Sequence, residues 1–178
     1  MAQVPIVFAR NFPHLSKISR MSYLSELLRL EQIQLNLKGA DKAAVLRELV
    51  DLVPEVRPEA AARESFIQAL LDREKLHTTG IGDGIALPHA RNPMSGLLKR
   101  PLLVFGRHAA GIQFGSLDNK PVQLFFLMAS PNLTDHLGML ARISRVLRDQ
   151  PLRSGLLKAG TIQDVPRLMA EAEQRTAQ

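Results

Sequence analysis

Two nearly unbroken apolar runs, Leu102-Leu103-Val104-Phe105 and Val122-Gln123-Leu124-Phe125-Phe126-Leu127-Met128, constrain the fold of this chain more than any other feature. A strand with one wet face alternates polar and apolar residues, because successive side chains point to opposite sides. Runs without that alternation predict strands buried on both faces, and such a sheet needs helices on either side. The fold class that follows is α/β, a central β-sheet flanked by helices on both faces. Both runs fall far short of the ~20 apolar residues of a membrane-crossing helix, so direct membrane insertion is not expected. Gly106, Gly111, Gly115 and Asp118-Asn119 lie between the runs and predict turns.

The covering helices are legible in the remaining pattern. Ser22 predicts the cap of a short helix reaching Leu28, and Ile33-Gln34-Leu35-Asn36-Leu37 alternates like a half-buried strand. After a Lys38-Gly39-Ala40 turn, Asp41 is placed to cap a helix in which Val45, Leu46, Leu49, Leu52 and Val53 recur at helical spacing up to Pro54. Pro58 opens another helix running to Lys75, with Phe66, Ile67, Leu70 and Leu71 as its stripe and Arg73 near its carboxyl end. Asn132 predicts the cap of a helix from Leu133, with Leu133, Leu137, Leu140, Ile143 and Leu147 on its core face, ending before Pro151. Helices over Leu152 to Ala159 and, behind a Thr161 cap, Ile162 to Glu173 complete the path.

With 178 residues, 46% of them hydrophobic, the chain can bury the core of one domain. Organised structure is expected over residues 22–175, after an N-terminal extension of residues 1–21. The first twenty residues lack a continuous apolar core, which argues against a secretory signal. They hold Arg10, Lys17 and Arg20 without any acid, and so supply three of the six formal positive charges. The absence of cysteine excludes disulfides, thiolate nucleophiles and zinc-thiolate sites, and is compatible with a reducing cytoplasm. Arg142, Arg145 and Arg148 recur at three-residue spacing and raise a nucleic-acid stripe, but a solvated helix surface is the commoner cause, and 4% aromatic residues leave few stacking platforms. Nucleic acid is therefore not the expected partner.

Chemistry concentrates in Thr78-Thr79-Gly80-Ile81-Gly82-Asp83-Gly84-Ile85-Ala86-Leu87-Pro88-His89-Ala90-Arg91. Three glycines in five residues admit backbone forms closed to other residues, and Pro88 restricts the approach to His89. The spacing fits no nucleotide loop: Ile85 stands where a dinucleotide fingerprint needs its third glycine, and no Gly-Lys-Ser/Thr follows. No cofactor or metal is expected, since the helix and paired-histidine spacings of common metal sites are absent.

The combination of Arg73-Glu74, Thr79-Gly80-Ile81-Gly82, Gly84-Ile85-Ala86-Leu87-Pro88-His89 and His136-Leu137 resembles the EIIA domains of the phosphoenolpyruvate-dependent phosphotransferase system. The mannitol/fructose class is the match, over about Ser22 to Glu173, and within it the stand-alone nitrogen-regulatory EIIA proteins. The resemblance implies a mixed sheet and a bacterial, cytoplasmic phosphotransferase component. It implies that His89 accepts a phosphoryl group at Nε2 from an HPr-type carrier, with Arg73 and His136 completing the site. Neutral imidazole offers the lone pair this requires, and guanidinium the paired donors for phosphate oxygens. Without an attached EIIB domain, regulation of partner proteins by phosphorylation state is expected. The alternatives are sugar uptake with transfer to an EIIB domain, and an interaction module that is not phosphorylated. Arg91 and Thr78-Thr79 are second-tier candidates. Asp83, where the family often has Asn, would add negative charge near the phosphate. His14, His77 and His108 are read as surface or loop histidines.

Overall fold

A computed structural model describes residues 23–177 except Pro93 and Ser95. Its core is a central sheet, as the apolar runs predict, with five strands in the order β1-β4-β5-β3-β2. The strands are β1 (Ile33–Gln34), β2 (Gly80–Gly82), β3 (Ile85–Ala86), β4 (Leu102–Ile112) and β5 (Val122–Ala129). β1 runs parallel to β4 and β3 parallel to β5, while β4–β5 and β2–β3 are antiparallel, so the sheet is mixed. Side chains of the long strands divide with period two. Leu102, Val104, Phe125 and Leu127 enter one core with helices α2 (Lys42–Asp51) and α3 (Ala60–Leu76). Leu103, Phe105, Leu124, Phe126 and Met128 enter the other, beneath α1 (Leu24–Leu27), α4 (Leu133–Val146), α5 (Gln150–Lys158) and α6 (Asp164–Thr176). Both faces are covered because neither can be exposed without leaving large apolar side chains in water.

Capping residues set several boundaries as expected. Asp41 accepts from Ala44 N at 2.8 Å, and Asn132 accepts from Asp135 N at 2.9 Å. Other expectations are corrected. The Ile33–Leu37 strand shortens to two residues, because the Leu35 carbonyl is taken by the Arg107 guanidinium at 3.1 Å. Gly106 and Gly111 do not end β4 but lie within it, the second in an irregular stretch with φ of 72°. The helix expected from Leu152 starts at Gln150, capped by Asp149, and Pro151 sits in its first turn, where its missing N–H costs nothing. Thr161 does not cap α6; its N–H and hydroxyl both donate to Asp164, each at 2.9 Å. On α4 the buried residues are Met139, Ile143 and Val146, while Leu133 and Leu137 are 57% and 55% exposed. The Ser22 cap and the 1–21 extension lie outside the described residues.

The turn into α2 contains a close approach that sequence alone does not disclose. A Cβ placed on buried Gly39 would lie 2.5 Å from Val45 N and 2.7 Å from the Ala44 carbonyl carbon. Backbone cannot yield there without unseating the helix. Gly39→Ala is expected to lower stability by about 1–3 kcal/mol, read as a reduced urea midpoint with unchanged slope.

Candidate active site

His89 follows β3 and extends its pairing with β5: His89 bridges to Met128 in parallel register, and Met128 N donates to Pro88 O at 2.9 Å. The residue thus stands at the carboxyl ends of two parallel strands, where α/β sheets open their crevices. β5 then passes through Ser130-Pro131-Asn132 into α4, which puts His136 in the first helical turn. The two rings meet with centroids 5.2 Å apart, tilted by 52°. From the opposite core, the last turn of α3 supplies Arg73. Its Nη1 donates to His77 O at 2.7 Å, satisfying a carbonyl at the helix end. Arg73 and Arg91 also line an open cleft of about 430 Å³ together with Leu76, Ala90 and Met94.

The tautomer of His89 is assigned from one contact. Nδ1 lies 2.7 Å from Leu87 O. A carbonyl only accepts, so the neutral ring carries its proton on Nδ1 and keeps the lone pair on Nε2. Burial pushes the His89 imidazole below its ordinary 6.5; the Arg73 and His136 charges act the same way, against the Leu87 carbonyl and Glu74. Burial first, then Arg73, lowers His136 as well. Both shifts favour the neutral imidazole, in which one ring nitrogen keeps a free lone pair.

These directions carry a sign for stability. The unfolded chain protonates these histidines at a higher pH than the folded protein does, so acidification favours unfolding. Their contribution is complete above the ordinary value of 6.5 and is lost as pH falls from there through the lowered folded values. The urea midpoint is expected to fall between about pH 7 and pH 5, and to fall less in a His89→Gln, His136→Gln double variant.

The His89 and His136 rings are in contact, Arg73 lies near enough for its charge to act on both, and Arg91 joins Arg73 in lining the cleft. Thr78 and Thr79 are not among the residues lining that cleft, and both are bonded locally. Thr78 Oγ1 accepts from Gly80 N at 3.0 Å, and the Thr79 hydroxyl donates to Glu74. Asp83 occupies the hairpin turn at the end away from His89, in left-handed backbone with φ of 53°, and its carboxylate pairs with Arg153 at 3.7 Å. The expected negative charge beside His89 is therefore directed elsewhere. His77 is an exposed helix-end residue, whereas His108 is a half-buried strand residue; His14 lies outside the described residues. The arginine stripe is broken, since Arg142 is partly buried and Arg148 lies beyond the end of α4. Glu74 stands in the motif, but sequence reasoning gave it no role of its own. A carboxylate seven positions after Ile67 and four after Leu70 falls on the buried stripe of α3, and that misplaced charge was the available signal.

Sheet order and helix layers place the chain among phosphotransferase-system EIIA folds. The nitrogen regulatory protein IIA-Ntr from Neisseria meningitidis superposes with a TM-score of 0.73 at 27% identity, over 83% of this chain and 99% of that one. The profile of the phosphoenolpyruvate-dependent sugar phosphotransferase system EIIA 2 family matches residues 26–172, and the chain belongs to that family. A fructose-specific EIIA component from Haloferax volcanii is 35% identical over 150 residues, 83% of this chain and 95% of the relative. A nitrogen regulatory protein from Bradyrhizobium diazoefficiens is equally similar, 35% over 149 residues, covering 83% and 94%. Among the described residues no helix is long and apolar enough to cross a membrane.

Proposed function

We propose that this EIIA-family protein accepts a phosphoryl group on Nε2 of His89 from the phosphohistidine of an HPr-type carrier, and that its phosphorylation state regulates partner proteins in the cytoplasm. The observation that carries the reading is the Nδ1 contact to Leu87 O, which leaves the Nε2 lone pair open beside two cationic or hydrogen-bonding groups. In the transfer, the carrier's N–P bond breaks as a new N–P bond forms in line at Nε2. The carrier ring recovers its lone pair, and the His89 proton stays on Nδ1. Arg73 offers charge and N–H donors to the equatorial oxygens, and His136 a ring beside them. Such a loose transition state asks the protein for alignment and charge stabilisation, not for a nucleotide or metal.

The equal likeness to a fructose-specific component and to a nitrogen regulatory protein keeps transfer to an EIIB domain as the second reading. One assay separates them. The protein is incubated with phosphoenolpyruvate, Enzyme I and an HPr-type carrier, then chased with sugar-specific EIIB domains. Label that enters the protein and stays there supports regulation; rapid discharge onto EIIB supports sugar uptake. No entry of label leaves a binding module that is not phosphorylated.

A further inference from the structure

Glu74 is a charged side chain with 4% exposure on an otherwise apolar stripe, and burial of a carboxylate is costly unless every lone pair is used. Its Oε2 accepts from Lys42 Nζ at 3.0 Å. Lys42, the first residue of α2, holds its ammonium 4.6 Å from the centre of the fully buried Phe114 ring. Glu74 Oε1 accepts from Thr79 N at 3.0 Å and from the Thr79 hydroxyl. From Thr79 the bonding continues in one direction. Thr79 O accepts from Leu87 N at 3.0 Å, and Leu87 O faces His89 Nδ1 at 2.7 Å. Successive backbone anchors therefore lead from a buried ion pair to the carbonyl that faces the ring nitrogen deciding which tautomer His89 adopts. The N–H and C=O of Thr79, and those of Leu87, belong to successive peptide groups, so these bonds act by holding backbone in place: Glu74 anchors Thr79, Thr79 anchors Leu87, and Leu87 presents its carbonyl to the ring.

We infer that Glu74, held by Lys42, is a positioning residue that fixes the orientation and tautomer of His89 by anchoring the backbone of Thr79 and, through it, of Leu87. The group does not touch the reacting atoms. Without its carboxylate the Thr79 N–H and hydroxyl lose their acceptor, the start of β2 loosens, and the Leu87 carbonyl is no longer aimed at Nδ1. The ring is then free to carry its proton on Nε2, where no lone pair remains for attack.

The inference rests on the phosphoacceptor reading of His89 for its functional meaning, but its test does not. Long-range proton–nitrogen spectra of protein labelled at its histidines report the tautomer directly, above the pH at which the ring charges. Wild type is expected to show His89 in the Nδ1–H form. Glu74→Ala is expected to reduce the ratio of that form to the Nε2–H form several-fold, and to slow phosphoryl uptake in proportion with KM for the carrier unchanged. Glu74→Gln, whose amide oxygen still accepts from Thr79 N, is expected to restore most of both. If Glu74→Ala does not fold, Lys42→Met and Thr79→Val each weaken one link at nearly constant volume and give the same readouts. A folded variant with an unchanged tautomer overturns the inference, whatever its rate. A shifted tautomer in a protein whose wild type takes up no label would instead retain it and remove the proposed function.

Discussion

His89→Gln is expected to take up no acid-labile phosphoryl group in the presence of phosphoenolpyruvate, Enzyme I and an HPr-type carrier. Glutamine preserves most of the side-chain volume and an N–H that can donate to Leu87 O, so the parallel bridge to Met128 and the neighbouring core need not change. What it lacks is a nucleophilic lone pair, because the amide nitrogen is conjugated to its carbonyl. His136 is 5.2 Å away, centre to centre, but is not seated by a sheet carbonyl as His89 is. It is not expected to substitute. Intact-mass measurement of wild type and variant, with a urea midpoint to establish folding, decides the matter; a folded variant labelled to the wild-type level would refute phosphorylation at this ring.

The second large effect concerns Arg73. Arg73→Ala is expected to slow single-turnover transfer by roughly 10²–10³-fold, the usual loss for one preorganised donor at a site of developing charge. Arg73→Lys should recover part of it, since an ammonium supplies charge without the planar pair of donors. The arginine also depresses the protonation of both rings, after burial in each case. Its removal should therefore move the acid limb of the pH–rate profile upwards. A slower rate with an unmoved acid limb would mean that the arginine acts on the transferring group without setting the protonation of the rings. Unchanged kinetics would remove it from the site.

The layered fold was legible because its cause is local: Leu102–Phe105 and Leu124–Met128 have no polar face to give to water. Helix starts at Asp41 and Asn132 were legible for the same reason, each resting on one side chain and an N–H three residues on. Leu133 and Leu137 were misassigned because periodicity counts apolar residues without knowing where the sheet ends. In the first turns of α4 those two leucines are exposed, while Met139, Ile143 and Val146 further along meet the core. The motif singled out His89 and Arg73 as candidates, but the tautomer was not legible, since it depends on where the Leu87 carbonyl points. Glu74 escaped for a related reason: its role is made by Lys42, 32 residues earlier, and by a strand that begins after the helix has ended.

The main-chain tie between Pro88 and Met128 bears on how a partner would sense the modification. With His89 fastened to the central sheet, an added phosphate has little backbone freedom through which to reshape the molecule. Modified and unmodified protein would present nearly the same contour carrying different charge. Recognition of one form over the other would then work as an electrostatic reading of a fixed surface, strong across a short gap and weakened by salt, rather than as the capture of an altered conformation.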